Sequence, residues 1–207
     1  MQNFLAMDTS GSYLTVVAVK DGEAFSSFIE NCAMKQSVSL MNAVDEVLKK
    51  ADLTLEECDF FGAVVGAGSF TGIRIGISAV KGFCSALKKP SLPITSFDVT
   101  AYNALDGKIL CLVDALHDCY YACGYENGEI VYSPAYLTEE EVLALVKVGY
   151  KLVSCQSAPI AQKAELLIVD PVIGLQKAAV ALAEKNAFAP LSALYVRKSS
   201  AEINLGK

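Results

Sequence analysis

The sequence predicts an α/β protein of two tandem lobes of one type, each a mixed sheet flanked by helices. Three observations lead there. Short apolar runs broken by turn residues alternate with segments of helical period. The element order of the first half recurs in the second. The chain has 207 residues, 53% of them hydrophobic, enough for a full core in one large unit or two small ones.

The first half opens with "FLAMDTSGSYLTVVAVKDGEAFSSF" (Phe4 to Phe28), three apolar runs separated by "DTSGS" and "KDG". Asp and Ser in such turns bond their own backbone, and Gly supplies positive φ, so three antiparallel strands are expected. Val38, Met41, Val44, Val47 and Leu48 then fall at helical spacing, and Lys49 and Lys50 suit a helix C-terminus. "DFFGAVVGA" is short and nearly all apolar, as expected of a strand buried on both faces. A helix from about Thr71 to Lys88 and a short strand in "PSLPITS" complete the order β-β-β-α-β-α-β.

From Lys108, "KILCLVDALHDCYYACGYENGEIVYS" repeats the pattern. Asp114 ends its strand as Asp8 does, and "ENG" stands where "KDG" stood. A helical stretch (Thr138 to Val148) follows. After it come a strand in "YKLVSC", a short helix near Ala158 to Ala164, a strand in "LLIVD" and a helix from about Val172 to Asn186. Three antiparallel strands followed by helix–strand alternation describe a ribonuclease-H-like unit. Two in tandem describe the actin/Hsp70-like (ASKHA) architecture, which fixes no function by itself. The expected lobes are 1–104 and 105–207, joined near Tyr102 to Gly107. The tail "SALYVRKSSAEINLGK" reads as a terminal segment packed on the body.

A net charge of -6 argues against this chain alone gripping nucleic acid. The opening "MQNFLAMDTS" lacks a basic n-region, so no secretory leader is expected, and no apolar run is long enough to span a membrane. The seven Cys are scattered without metal-ligand pairs; "CYYACGY", with Cys119 and Cys123, reads as a strand. Buried free thiols in a reducing cytoplasm are expected.

The stretch "VVGAGSFTGIRIG" (Val64 to Gly76) is a glycine-rich turn opening a helix. Gly66, Gly68 and Gly72 allow close backbone approach, Ser69 or Thr71 can cap the helix, and the helix N-terminus is a natural anion site. The specific phosphate patterns fail, however. Ile73 stands where a Walker A loop needs Lys, and Thr71 where a dinucleotide fingerprint needs its third Gly. Arg74 is the one nearby cation. With Asp8, Thr9 and Ser10, this loop is at most a weak anion or nucleotide site. Gly76 and Gly82 inside the helix each cost roughly 1 kcal/mol against Ala, which implies close approach by another element, whether this protein's own sheet or a partner helix. Ile73, Ile77, Val80 and Leu87 supply apolar surface around them.

Catalytic chemistry is poorly supplied. The single His, His117, lies in a turn, so neither a His metal pair nor a Ser-His-Asp triad is expected. Asp8 and Asp114 would face the cleft between the lobes, where an active phosphotransferase uses such carboxylates for Mg²⁺ or a hydroxyl. "DTSGSYL" lacks the Gly and Lys that would grip phosphates, and Asp8 can serve simply to satisfy turn N–H groups. A metallopeptidase lacks its nucleophile, base and metal ligands.

Four stretches in order, "LAMDTS", "GAGSFTGIRIGISAVKGF", "LVDALHDCYYACGY" and "ALYVRKSSAEIN", resemble the bacterial TsaB (YeaZ) family across nearly the whole chain. The resemblance implies the two-lobed actin-like fold and a role in making threonylcarbamoyladenosine at position 37 of tRNAs that read ANN codons. It implies a non-catalytic subunit that pairs with the TsaD-type transferase, is joined by the TsaE-type ATPase, meets tRNA only through the complex, and self-associates as a homodimer when alone. It places the partner face on the helices Met34–Lys50 and Thr71–Leu87: Met34, Val38, Met41, Ile73, Gly76, Ile77, Val80, Gly82 and Phe83. It implies no metal, no membrane and no cofactor beyond weak nucleotide binding. The catalytic paralogue carries an i, i+4 His pair where this chain has Ser96 and Thr100, and hydroxyls are poor replacements as metal ligands. Three features depart from the family pattern. Gln36, Ser37 and Val38 stand where His-Ser-Glu is common, Gly66-Ala67-Gly68 where Gly-Pro-Gly is common, and the second lobe is short between Ser157 and Asn186.

Overall fold

The computed structural model describes residues 2–104 and 106–197. The first sheet holds β1 (Phe4–Asp8), β2 (Leu14–Lys20), β3 (Glu23–Ile29), β4 (Phe60–Val64) and β5 (Ser91–Ile94), in the order β3-β2-β1-β4-β5. The second holds β6 (Lys108–Asp114), β7 (Cys119–Glu126), β8 (Glu129–Thr138), β9 (Lys151–Ser154) and β10 (Leu166–Ile168), in the order β10-β9-β6-β7-β8. Read from its third strand, each sheet has the same order. The first three strands of each pair antiparallel and the last two join parallel.

Helices α1 (Gln36–Ala51) and α2 (Phe70–Leu87) cover one face of the first sheet. Alternation along β1 sends Leu5 and Met7 to that face and Phe4 and Ala6 to the other. The opposite face is covered by α5 (Pro171–Glu184), through Leu175, Ala178 and Ala179. A helix that the periodicity does not predict, α3 (Ser96–Ala101), packs Phe97 and Ala101 on the second sheet beside Ile109, Cys111 and Val153. It is only six residues long, too short to show a period, but Thr95 and Asp98 form a reciprocal capping box, a signal present in the sequence. The far face of the second sheet meets α4 (Glu139–Lys147) through Val142 and a 3-10 turn, Pro159–Gln162, through Ile160. The layers therefore run α1 and α2, first sheet, α5 with α3, second sheet, α4.

The chain after α5 returns to the first sheet. Ala189 N–H donates to the Ser91 carbonyl and Leu194 N–H to the Val65 carbonyl, and Leu191 is buried in the core under α1 and α2. Residues from Lys198 onward in the expected tail lie outside the described residues.

Candidate functional site

The glycine loop joins β4 to α2, and the protein's own chain fills it. Ser69 caps α2, its hydroxyl accepting from Gly72 N–H at 3.3 Å. Above the helix start lies the β1–β2 turn. Ser69 N–H donates to the Ser10 carbonyl at 2.7 Å. The Thr9 hydroxyl enters the helix ladder, donating to the Gly72 carbonyl at 2.6 Å and accepting from Gly76 N–H at 3.1 Å. A Cβ on Gly72 would collide with the Thr9 carbonyl oxygen, and one on Gly76 would sit 2.7 Å from the Thr9 hydroxyl. A Cβ on Gly68 would strike the Ser10 carbonyl, and one on Gly66 the Leu194 carbonyl at 2.5 Å. The close approach that these glycines signalled is thus internal.

Beneath this turn Asp8 is buried and fully engaged. Its Oδ1 accepts from Ser10 N–H at 2.8 Å and from the Ser10 hydroxyl at 2.7 Å, and its Oδ2 from the Tyr13 hydroxyl at 3.0 Å. Burial pushes its carboxyl above the ordinary value, against the pull of those hydrogen bonds. Burial, with the Asp8 charge beside it, also holds the Tyr13 hydroxyl well above its ordinary range. Gln36, which in the sequence marks only a departure from a motif, ties α1 to the same turn: its Nε2 donates to the Gly11 carbonyl at 2.8 Å, and the residue is buried.

Between the lobes lies a cleft of about 540 Å³, bounded by Ser10 to Tyr13, Ala67 to Phe70, Ser96, Thr100, Asp114 to Leu116 and Ser154 to Ser157. Among the described residues no Lys or Arg lines it. Arg74, the one cation expected at the loop, turns outward. Its guanidinium lies 4.8 Å from the Phe70 ring centroid and its Nε donates to the Tyr195 hydroxyl at 3.0 Å. Ser96 and Thr100 sit one turn apart on α3; the Ser96 hydroxyl donates to the Ala67 carbonyl and that of Thr100 to the Ser96 carbonyl. Burial pushes the neighbouring Cys155 thiol up to about 12. Gln156, unmarked in the sequence, bridges the lobes by donating to the Ser12 hydroxyl. Among the described residues no three His, Cys, Asp or Glu side chains come together in metal-binding range. No helix among them is long and apolar enough to cross a membrane.

The second feature is the outer face of α1 and α2. Met34 is 94% exposed, Val38 76% and Met41 44%. Between the helices runs a groove of about 500 Å³ lined by Ser37, Leu40, Met41, Thr71, Arg74, Ile75, Ser78 and Ala79. Gly82 is exposed, and among the described residues nothing lies within 4 Å of its would-be Cβ. The helix register corrects the rest of the expected face. Ile73, Gly76, Ile77 and Val80 point into the core, and Phe83 packs on Phe61 with ring centroids 5.4 Å apart. They fell on the expected face because α2 is apolar on most of its circumference, so periodicity alone did not separate its inner side from its outer one.

Comparison with known proteins sets these features in a family. Residues 30–167, two thirds of the chain, match the family model described as TsaD: tRNA N6-adenosine threonylcarbamoyltransferase. The tRNA threonylcarbamoyladenosine biosynthesis protein TsaB of Buchnera aphidicola subsp. Schizaphis graminum is 31% identical over 150 residues, 70% of this chain and 69% of that protein. The protein of the same name from Bacillus subtilis is 29% identical over 128 residues, 60% of this chain and 56% of that one. The aligned segment thus spans between about half and two thirds of these relatives. YeaZ from Pseudomonas aeruginosa has the same fold, with a TM-score of 0.80 at 22% identity, covering 94% of this chain and all of that one. By these matches the chain belongs to the TsaB (YeaZ) family.

Proposed function

We propose that this chain is a non-catalytic scaffold in the formation of threonylcarbamoyladenosine on tRNA. In this reading α1 and α2 dock a TsaD-type transferase, a TsaE-type ATPase joins the pair, and tRNA is met only through the complex. Without its partner the chain self-associates through the same face. It requires no cofactor of its own. Family membership supports the pathway. The observation that carries the docking role is the exposed apolar stripe of Met34, in the turn before α1, with Val38 and Met41 on α1, beside a groove between helices whose other sides are buried in the core. Such a face on a folded chain marks an interaction surface. The filled glycine turn supports the non-catalytic part, because Ser69 N–H and Gly72 N–H, donors at the start of α2 that an anion would use, already bond the Ser10 carbonyl and the Ser69 hydroxyl.

The test mixes the chain with the TsaD-type subunit of the same organism and weighs the species by light scattering after size exclusion. A heterocomplex is expected, and Gly82→Leu, which adds bulk only on the exposed face, should weaken it at least tenfold while leaving the fold intact. A tight, Mg²⁺-dependent ATP complex of the isolated chain, with no heterocomplex under any nucleotide condition, would instead favour an active phosphotransferase.

A further inference from the structure

The groove between α1 and α2 is lined by Leu40, Met41, Ile75 and Ala79, with Arg74 the charged residue at its edge and Lys81 just beyond it on the same helix. Helix α2 carries two cations, Arg74 and Lys81, and no acid in its 18 residues. Seven residues apart, they lie on the same side of the helix, about 10 Å from each other along its axis. Both are exposed. Among the described residues neither enters an ion pair. This ridge stands on a protein of net charge -6. Arg74 is also held in place. Phe70 and Tyr195 stack with ring centroids 4.1 Å apart, and the guanidinium lies against that stack while its Nε donates to the Tyr195 hydroxyl. Immobilising a long cationic side chain before binding lowers the entropy lost when it is paired.

Resting on the docking role proposed above, we infer that the partner presents an amphipathic helix with an apolar centre and two carboxylates two turns apart, one for Arg74 and one for Lys81. A second copy of this chain fits less well. The two acids of α1, Asp45 and Glu46, are adjacent and not two turns apart, and Glu46 is already paired with Lys50 at 2.6 Å. Charge complementarity at a groove rim acts chiefly on association rate, register and partner choice, and it is screened by salt.

The experiment titrates the TsaD-type subunit into the wild-type chain, Lys81→Glu, and the double variant Arg74→Glu with Lys81→Glu, at low and high salt. Among the described residues the cation held on the aromatic stack is Arg74 and not Lys81, so the Lys81 variant separates charge from packing. We expect the double variant to bind about tenfold more weakly at low salt and to lose most of the wild type's salt dependence, with Lys81→Glu several-fold weaker. Reversing an acid on the partner helix to Lys should restore affinity to the double variant. Unchanged affinity of both folded variants beside tight wild-type binding would overturn the inference and leave the docking role standing. No binding by the wild type would overturn the docking role itself. Loss of self-association with an intact heterocomplex would make the occupant a second copy and refute the inference.

Discussion

Asp8 and Asp114 end the first strands of two sheets with the same strand order, and each accepts a hydrogen bond at 2.8 Å from the backbone N–H two residues on, Ser10 in one lobe and Leu116 in the other. There the likeness stops. Asp8 and its turn are buried under the start of α2, whereas Asp114 and the residues after it are largely exposed. The second turn runs through three successive left-handed residues, Leu116, His117 and Asp118, with φ between 54° and 63°. The cause lies in the element after the fourth strand of each lobe. In the first lobe it is the 18-residue helix α2; in the second it is the four-residue turn Pro159–Gln162. A turn of the same local chemistry is therefore a core element in one lobe and a cleft lip in the other, and tertiary cover makes the difference.

The largest effect should come from separating the first turn from its helix. Gly72→Ala places a methyl against the Thr9 carbonyl oxygen, which is backbone and cannot rotate away. The turn must lift from α2, giving up the Thr9 hydroxyl's bonds to Gly72 and Gly76. A loss of roughly 3 kcal/mol is expected, a fall in melting temperature on the order of 10 °C for a chain of this size. A melting curve that superimposes on the wild type would show that the turn is not clamped by the helix, and the contrast between the lobes would lose its basis.

A smaller effect of opposite sign is expected two turns and more along the same helix. Gly82 is exposed, and a Cβ there meets nothing within 4 Å among the described residues. Gly82→Ala should stabilise the isolated chain by about 0.5–1 kcal/mol through helix propensity alone. Thermal or denaturant unfolding reads it. Destabilisation would mean that the outer face of α2 is already covered by something in the free protein.

The sequence carried the strand–helix order, the repeat and the glycine signal, because each rests on local chemistry: turn residues, period and the absence of a Cβ. It did not carry the contacts the glycines make. Gly72, Gly76 and Gly82 read alike along one helix, yet two face the protein's own turn and the third faces open space. Likewise Ile73, Ile77 and Val80 are indistinguishable by period from an outer stripe until the sheet takes one side of α2. Gln36 had no signal at all, since its partner carbonyls, Gly11 and Tyr13, are brought to it only by the first turn. Tyr195 and Phe70 are 125 residues apart in sequence and meet only because the chain after α5 returns to the first sheet.

The finest test of the contrast between the lobes is the charge state of Asp8. Burial raises its carboxyl above the ordinary value in the folded chain, so the fold favours the protonated form. The stability that this preference contributes is fully present below the ordinary carboxyl value and is lost as pH rises through the raised one. Ionising Asp8 in the folded chain is therefore a cost that Ser10 and Tyr13 offset only in part. Asp8→Asn keeps an oxygen to accept from the Ser10 N–H and hydroxyl, and its amide can donate to the Tyr13 oxygen, which a hydroxyl accepts. The variant should gain on the wild type in melting temperature as pH rises above the ordinary carboxyl value of about 4. A variant that instead loses ground as pH rises would mean that the ionised carboxylate stabilises the turn, and that hydrogen bonding there outweighs burial.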